Sequence, residues 1–277
     1  MKKHSVTIIL LLVLLAGLSL VLYPSFSDWW NSMHMSRVIT DYVDLIEDLE
    51  EDEYEELLEA AREYNRSLLT RTNGYATTQE QKEKYDTLLN IANNGVMGYI
   101  EVPTIGVSLP LYHGTDATVL QVAIGHLEWS SLPVGGESTH CVVSGHRGLP
   151  SAKLFTHLDK VREGDIFILR ILDEVLTYEV DQILIVDPDQ VESLMISEGK
   201  DYCTMFTCTP YGINTHRLLV RGHRVENEED AVMPHVISEA ILIEPAVVAP
   251  IVAIPMLIVL FIWIMIPKKK KKWRDEW

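Results

Sequence analysis

A cysteine closes a strand-like run in the stretch Thr204-Met205-Phe206-Thr207-Cys208-Thr209-Pro210. A turn follows at once, at residues 210–212. A thiol at the end of a strand is held by a rigid element and still reaches solvent, and reactive side chains tend to lie at such edges. Free cysteine is also among the most buried residue types, so a small core residue is the alternative interpretation. The surroundings of Cys208 decide between the two.

A second strand end offers a histidine as a partner for this thiol. The segment Ser144-Gly145-His146-Arg147-Gly148 directly follows the strand-like run Cys141-Val142-Val143. A neighbouring imidazolium stabilises a thiolate, so His146 at such a position is typical of an activated cysteine. A surface histidine with no role is the alternative, because the chain contains 10 histidines.

A third candidate is Arg217, which opens the strand after the loop that follows Cys208. A hairpin returns it to the level of the cysteine, and its guanidinium can stabilise the oxyanion of a tetrahedral intermediate. Alternation along a strand sends His216 and Arg217 to opposite faces. We choose Arg217 because His146 already supplies an imidazole; an ordinary strand-end charge is the alternative.

Composition excludes nucleic acid as a partner and leaves room for one domain with appendages. The 277 residues carry 23 Lys+Arg against 40 Asp+Glu, a formal net charge of -17. Phosphate binding needs a basic face, which this balance argues against. No metal or other cofactor is expected, because no HExxH and no zinc-like Cys/His spacing is present.

Both ends of the chain predict membrane spans. Lys2 and Lys3 precede an apolar run over 6–23, which we interpret as an uncleaved anchor rather than a removed signal because no convincing cleavage site follows. A second run, 246–266, is about 21 residues long and carries no charge, which suits a bilayer span better than a buried soluble helix. Basic residues follow it at 268–272, which predicts that both termini are cytoplasmic and the domain between the spans is extracellular.

The spacing of apolar and turn residues between the two predicted spans indicates a helical part followed by a β-rich part. We divide the chain into an anchor (1–23), a helical extension (24–95), a β-rich domain that carries the three candidate residues (96–225), an acidic linker (226–245), a second span (246–267) and a basic tail (268–277). Three- and four-residue apolar spacing predicts helices over about 32–69 and 78–93. After Gly95, seven strand-like runs alternate with turns, and short helical patches fall at 118–125 and 151–158; many short strands predict a barrel or sandwich.

Residues 98–224 resemble a sortase. The resemblance rests on the segments TMFTCTPYGINTHR (204–217), LVRGHR (219–224) and VSGHRGLP (143–150), to which GYIEVP (98–103) and parts of 125–140 add. It is greatest for class C, the pilin-polymerising sortases of Gram-positive bacteria, which typically carry a helical extension and a second, C-terminal span. The resemblance implies an eight-stranded β-barrel with Cys208 as nucleophile, His146 as general acid and base, and Arg217 as the oxyanion or substrate stabiliser. Thr207 and Ser144 are the expected substrate-binding residues.

The resemblance also implies the reaction and its partners. A cysteine transpeptidase of this class cleaves an LPXTG-like sorting signal between threonine and glycine, and a lysine of another pilin subunit resolves the acyl-enzyme. A sortase that attaches proteins to cell-wall peptidoglycan is the alternative, since it differs in the resolving amine. An inert membrane scaffold with a structural Cys208 is a third possibility, and a cysteine protease is less favoured.

The lid of the family is where this sequence departs from the pattern. Class C sortases often carry an Asp-Pro-aromatic anchor before the second helix, whereas this chain has Thr72-Asn73-Gly74-Tyr75 there. We expect Tyr75 to cover the cleft with different anchoring; a mobile loop is the alternative.

The remaining two cysteines predict a buried pair. Cys141 and Cys203 each lie five residues before a candidate catalytic residue, His146 or Cys208. If their strands are parallel neighbours, as in the family's barrel, the two thiols share a rung about 4.8 Å apart. We predict a close, reduced pair; two independent core cysteines are the alternative.

Overall fold

The computed structural model describes residues 2–71 and 77–227. The chain divides after Phe26: the residues up to and including Phe26 belong to one unit, and the compact unit that contains the β-barrel begins at Ser27. Tyr75, the linker beyond residue 227, the second span and the basic tail lie outside the described residues.

Eight strands close into one barrel, in the order β1-β2-β3-β4-β7-β8-β6-β5. The barrel predicted from the family resemblance is confirmed. The strands are β1 (Val96–Val102), β2 (Val107–His113), β3 (Ile124–His126), β4 (Thr139–Ser144), β5 (Ile166–Ile171), β6 (Glu174–Val186), β7 (Asp201–Thr209) and β8 (His216–Arg224).

Three helices precede the barrel in the described part of the chain: α1 (Lys2–Glu47), α2 (Glu51–Leu68) and α3 (Gln79–Thr87). The sequence predicted one helix over 32–69, but the structure has a break between α1 and α2. The break coincides with a new N-terminus at Glu50, whose backbone N–H donates to Glu53 (3.1 Å). The predicted Thr78 cap of α3 is confirmed, since its hydroxyl accepts from the backbone N–H of Gln81.

Each helix sends buried side chains into the main core of the barrel unit. On α1, the Tyr42 hydroxyl donates to the Met97 carbonyl (2.7 Å) and accepts from the Leu172 N–H (2.9 Å). On α2, the Asn65 amide exchanges two hydrogen bonds with the backbone of Leu132. Buried backbone groups that the barrel leaves unpaired are satisfied in this way, which fixes the helices on it.

One helix among the described residues is long and apolar enough to cross a membrane, and it lies near the N-terminus. The apolar part of α1 is exposed over most of its length up to Phe26. Length and composition agree with the predicted anchor, although a signal sequence would satisfy the same two criteria.

Candidate active site

Cys208 and Arg217 face each other across the last rungs of β7 and β8. The two strands are antiparallel, and the register pairs Cys208 directly with Arg217 and Thr209 with His216. Residues Cys203 and Met205 of β7 lie in the main core, whereas Phe206 packs in a second apolar cluster. Alternation therefore places Cys208 on the same face as Phe206, outside the barrel core, and its side chain is half-buried.

His146 lies just beyond the end of β4, the strand that pairs with β7 on the side opposite β8, and it lies at the level of Cys208. Strands β4 and β7 are parallel, with Ser144 paired to Phe206. The ladder continues past the end of β4, because Gly145 N–H donates to the Phe206 carbonyl (3.1 Å) and the Thr207 hydroxyl donates to the Gly145 carbonyl (2.7 Å).

The residue after His146 also contacts β7. The Arg147 guanidinium donates to the Thr209 hydroxyl (3.0 Å). His146 is thus held at the level of Cys208 by contacts on both of its sides. The structure brings the three predicted catalytic residues to one end of three neighbouring chain segments.

Gly145 is required at this position by close packing. A Cβ atom there would lie 2.7 Å from Phe155 Cδ2 and 2.9 Å from Ile124 Cγ2, which real contacts do not allow. Gly148 has a φ of +82° and its missing Cβ would meet the Tyr211 ring at 3.1 Å. The two glycines therefore let the histidine segment pass close to the core and to the loop that follows Cys208.

Sequence reasoning missed the arginine that follows His146. The Arg147 side chain is 9% exposed and forms an ion pair with Asp159 (2.8 Å) in addition to its bond to Thr209. No local pattern identifies this arrangement, because both partners lie at least 12 residues away in sequence.

Comparison with known proteins identifies the family of this chain. The sortase domain family matches residues 100–225. Sortase D of Bacillus subtilis is 31% identical over 131 residues, which are 46% of this chain and 63% of that relative; the matched stretch thus spans less than two thirds of its length. The crystal structure of sortase C1 from Streptococcus agalactiae is 52% identical with a TM-score of 0.68, covering 69% of this chain and all of that one (100%).

The chain belongs to the sortase family. Its solved relatives also place it in class C. Sortase C of Clostridium perfringens, solved with the C-terminal cell wall sorting motif, is 44% identical with a TM-score of 0.60 and covers 69% of this chain and 100% of that one.

In this sortase, Arg217 is held by the loop between β7 and β8. Its guanidinium donates to the carbonyls of Asn214 and His216, each at 3.1 Å. Neighbouring His216 instead approaches Asp187 (3.5 Å) and is paired in register with Thr209. The loop thus constrains the arginine that lies opposite the thiol.

The two predicted substrate-binding residues lie on different faces. Ser144 is buried and shares a rung with Phe206 on the face of Cys208. Thr207 is 1% exposed, and its hydroxyl is engaged by the Gly145 carbonyl. Because Thr207 is adjacent to Cys208 on the strand, alternation sends its side chain to the opposite face.

The predicted thiol pair is confirmed. Cys141 and Cys203 are register partners on parallel β4 and β7, and both are free and buried. Burial raises the pKa of Cys203, and its hydrogen bond to Cys141 raises it further. For Cys141, burial also raises the pKa, but hydrogen bonds with Cys203 and His126 outweigh it and lower the pKa.

A buried histidine, His140, links β4 to β7 and to the loop that precedes β7. His140 Nδ1–H donates to the Met195 carbonyl (2.9 Å), so its Nε2 accepts from the Thr204 hydroxyl (2.7 Å). Burial lowers the pKa of His140 to about 4, so the ring is neutral at physiological pH. The sequence offered no signal for this role, which depends on a contact between β4, β7 and the loop that precedes β7.

Proposed function

We propose that this sortase is a cysteine transpeptidase that joins pilin subunits. The observation that carries the proposal is the placement of Cys208, His146 and Arg217 at the same level of three neighbouring segments. Nucleophile, acid–base group and oxyanion stabiliser are the three roles that acyl transfer needs.

The first half-reaction forms a thioester. The Cys208 sulfur adds to the threonine carbonyl of an LPXTG-like signal, and Arg217 stabilises the oxyanion. The C–N bond to glycine then breaks as His146 gives its proton to the leaving amine. The threonine acyl group remains on Cys208.

The second half-reaction transfers the acyl group to an amine. A lysine of another pilin subunit attacks the thioester, His146 takes the proton that the amine loses, and the Cys208 thiolate leaves. The product is an isopeptide bond between two subunits. We further propose that the enzyme acts at the outer face of the cell membrane, held by two spans with both termini in the cytoplasm.

An apolar strip beside the thiol supports a sorting signal as the substrate. We define it as the second cluster: Val142, Leu194 and Leu219 buried, with Leu127, Trp129, Leu184, Val186, Val191 and Phe206 packed against them. It covers the outer face of β4, β7, β8 and the end of β6. The leucine and proline of an LPXTG-like signal are apolar and lie N-terminal to the scissile bond, so the strip suits that half of the substrate.

Mass spectrometry of the full chain in detergent tests the proposal. Incubation with an LPXTG peptide should add the mass of the acyl fragment to the wild type, and addition of pilin should give covalent polymer. Cys208→Ala should give neither product, while Cys141→Ala, which removes a buried thiol, should still form the acyl-enzyme.

The other outcomes contradict the proposal in distinct ways. Acyl-enzyme that transfers only to a peptidoglycan-type amine assigns the chain to cell-wall anchoring. Absence of any acyl-enzyme in the folded wild type removes Cys208 as the nucleophile.

A further inference from the structure

The segment that carries His146 is tied to β7 by the side chain of the next residue, Arg147. The Arg147 guanidinium donates to the Thr209 hydroxyl (3.0 Å) and pairs with Asp159 (2.8 Å). Thr209 directly follows Cys208 on β7, and Asp159 lies in a short 3-10 turn further along the loop. One side chain thus joins the histidine segment to the residue after the candidate nucleophile.

Burial makes this contact stronger than that of a surface arginine. The Arg147 side chain is 9% exposed, whereas the Arg66 side chain is 60% exposed and pairs with an equally exposed Glu59 (61%). Thr209 is buried as well. Hydrogen bonds from a charged donor are stronger where solvent is excluded, and solvent weakens the half of the ion pair that Asp159 contributes. We therefore assign the greater share of the contact to the bond with Thr209.

The bond between Arg147 and Thr209 lies on the hidden side of the strand end. Alternation sends the Thr209 side chain to the face opposite Cys208, the face on which Cys203 and Met205 lie in the core. The bond can therefore fix the spacing between the histidine segment and β7 without occupying the face on which the thiol meets a substrate.

The backbone sets the position of the His146 ring. The ring makes no hydrogen bond to a residue in the described ranges, 2–71 and 77–227. On one side of His146, Gly145 is bonded to β7, and the His146 carbonyl itself accepts from the Phe155 N–H (3.2 Å). On the other side the contact with β7 is made by Arg147. A general acid has to hold its proton within hydrogen-bond reach of the leaving group, so these contacts determine whether His146 can act.

We propose that Arg147 is a positioning residue, which keeps the His146 imidazole within reach of the amine that leaves the tetrahedral intermediate. The inference rests on the proposed function, since it takes His146 as the acid that protonates this amine. Arg147 acts through His146 and is assigned no contact with the reacting atoms. Without its guanidinium the histidine segment can move away from β7, and proton transfer to the amine becomes slower.

Two substrates of the same peptide sequence separate this role from a general loss of structure. The first is an LPXTG peptide with its threonine–glycine amide, and the second has a thioester in place of that amide. In both reactions the Cys208 sulfur adds to the threonine carbonyl and the same acyl-enzyme forms. The amine leaves with a proton from His146, whereas the thiolate of the second substrate leaves without one. A misplaced acid should therefore slow the amide and spare the thioester.

Single-turnover acylation of the full-length chain in detergent, followed by mass spectrometry, gives the rate constant at saturating peptide and the half-saturating concentration. Arg147→Met should acylate from the amide about 30-fold more slowly, which is less than the roughly 100-fold that a 1 Å misplacement can cost. From the thioester it should be slower by no more than about 3-fold, because no proton transfer to the leaving group is needed. The half-saturating concentration should not change, since substrate binding is untouched.

Conservative and matched variants complete the series. Arg147→Lys should recover part of the amide rate, because an ammonium can still donate to Thr209. Arg66→Met makes the same replacement at an exposed arginine and should match the wild type with both substrates. Thr209→Val removes the acceptor and keeps the ion pair with Asp159, so it should show the selective loss even if Arg147→Met does not fold. Far-UV circular dichroism shows which variants are folded.

The possible failures are distinguishable. Equal slowing of both substrates in the folded variants, or no slowing of either, overturns the positioning role of Arg147 while the proposed function stands. If the wild-type chain forms no acyl-enzyme from the amide peptide, the proposed function fails and the inference fails with it.

Discussion

His140 shows at the residue scale how burial converts a titratable side chain into a structural one. Both of its ring nitrogens are engaged, by the Met195 carbonyl and the Thr204 hydroxyl, and the ring is 1% exposed. Its pKa falls from 6.5 to about 4, first because of burial and also because of the nearby charge of Arg221. Protonation would turn Nε2, which now accepts a hydrogen bond, into a donor, so protonation of His140 destabilises the folded state.

The stability of the protein should therefore fall with pH below neutrality. Between pH 6.5 and 4 the unfolded chain binds a proton at His140 and the folded chain does not, so the free energy of unfolding rises with pH across this window. The full difference corresponds to about 3 kcal/mol. Burial also lowers the pKa of His113, which acts in the same direction.

Urea unfolding of wild type and His140→Gln at several pH values measures the effect. The glutamine variant should show a flatter dependence on pH from 6.5 to 4, whereas a variant of exposed His34 should follow the wild type. Parallel curves for wild type and His140→Gln would contradict the assignment.

At this scale the sequence was sufficient to locate candidate residues at strand ends, and their roles remain a proposal. Cys208, His146 and Arg217 were chosen because each ends or opens a strand-like run, and strand pairing brings such ends together. Thr207 was expected to meet substrate, yet its side chain lies on the face opposite Cys208, as period-two alternation requires. Arg147 was not found, because its burial depends on residues far away in the chain.

At the scale of elements, the sequence pattern predicted the longer strands correctly and missed a short one. The seven runs with alternating or β-branched residues correspond to strands of the barrel. The eighth, β3 (Ile124–His126), falls where the sequence predicted a helical patch over 118–125; the helix there covers only Ala117–Leu120. Three residues are too few for a period, and pairing with β2 and β4 makes them a strand.

The segment after His146 was also predicted as helical over 151–158, but contacts with α1 hold it as a loop. Asp28 accepts from the Lys153 backbone N–H (2.8 Å) and pairs with its ammonium (3.2 Å). Asn31 donates to the Ser151 carbonyl (2.8 Å). Further along the same loop, the Phe155 N–H donates to the His146 carbonyl (3.2 Å), so α1 constrains the loop that carries the candidate acid–base residue.

Removing the contacts of Asp28 and Asn31 should loosen this loop without unfolding the barrel. In Asp28→Ala/Asn31→Ala, amide exchange over 148–157 should be about 30-fold faster, because two hydrogen bonds are lost and each contributes ~1 kcal/mol. Acyl-enzyme formation should also slow, since His146 is less well positioned.

Hydrogen–deuterium exchange with mass spectrometry compares this variant with Glu59→Ala, which removes an exposed ion pair on α2. The control should leave exchange over 148–157 unchanged. Equal protection of that segment in the double variant and in wild type would show that α1 does not hold the loop.

At the scale of the whole molecule, the apolar segments and their flanking charges determine the proposed placement at the membrane. The catalytic barrel and the helices on it need no membrane for their packing, because their core lies within the unit that begins at Ser27. The proposed cytoplasmic side of each terminus rests instead on lysines: Lys2 and Lys3 before the first run, and Lys268–Lys272 after the second. Positive charges next to a span stay on the cytoplasmic side.

The two-span arrangement predicts where tags meet a protease added outside the cell. In intact spheroplasts, a tag after Trp277 should be protected and a tag inserted after Asn227 should be cleaved, because the chain crosses the membrane again between them. Permeabilised cells should lose both tags. Replacing Lys268–Lys272 with glutamine should expose part of the C-terminal tag, since the charge bias that retains the tail is gone. Cleavage of the C-terminal tag in intact wild-type spheroplasts would show that 246–266 does not span, and the chain would then be held by its N-terminal helix alone.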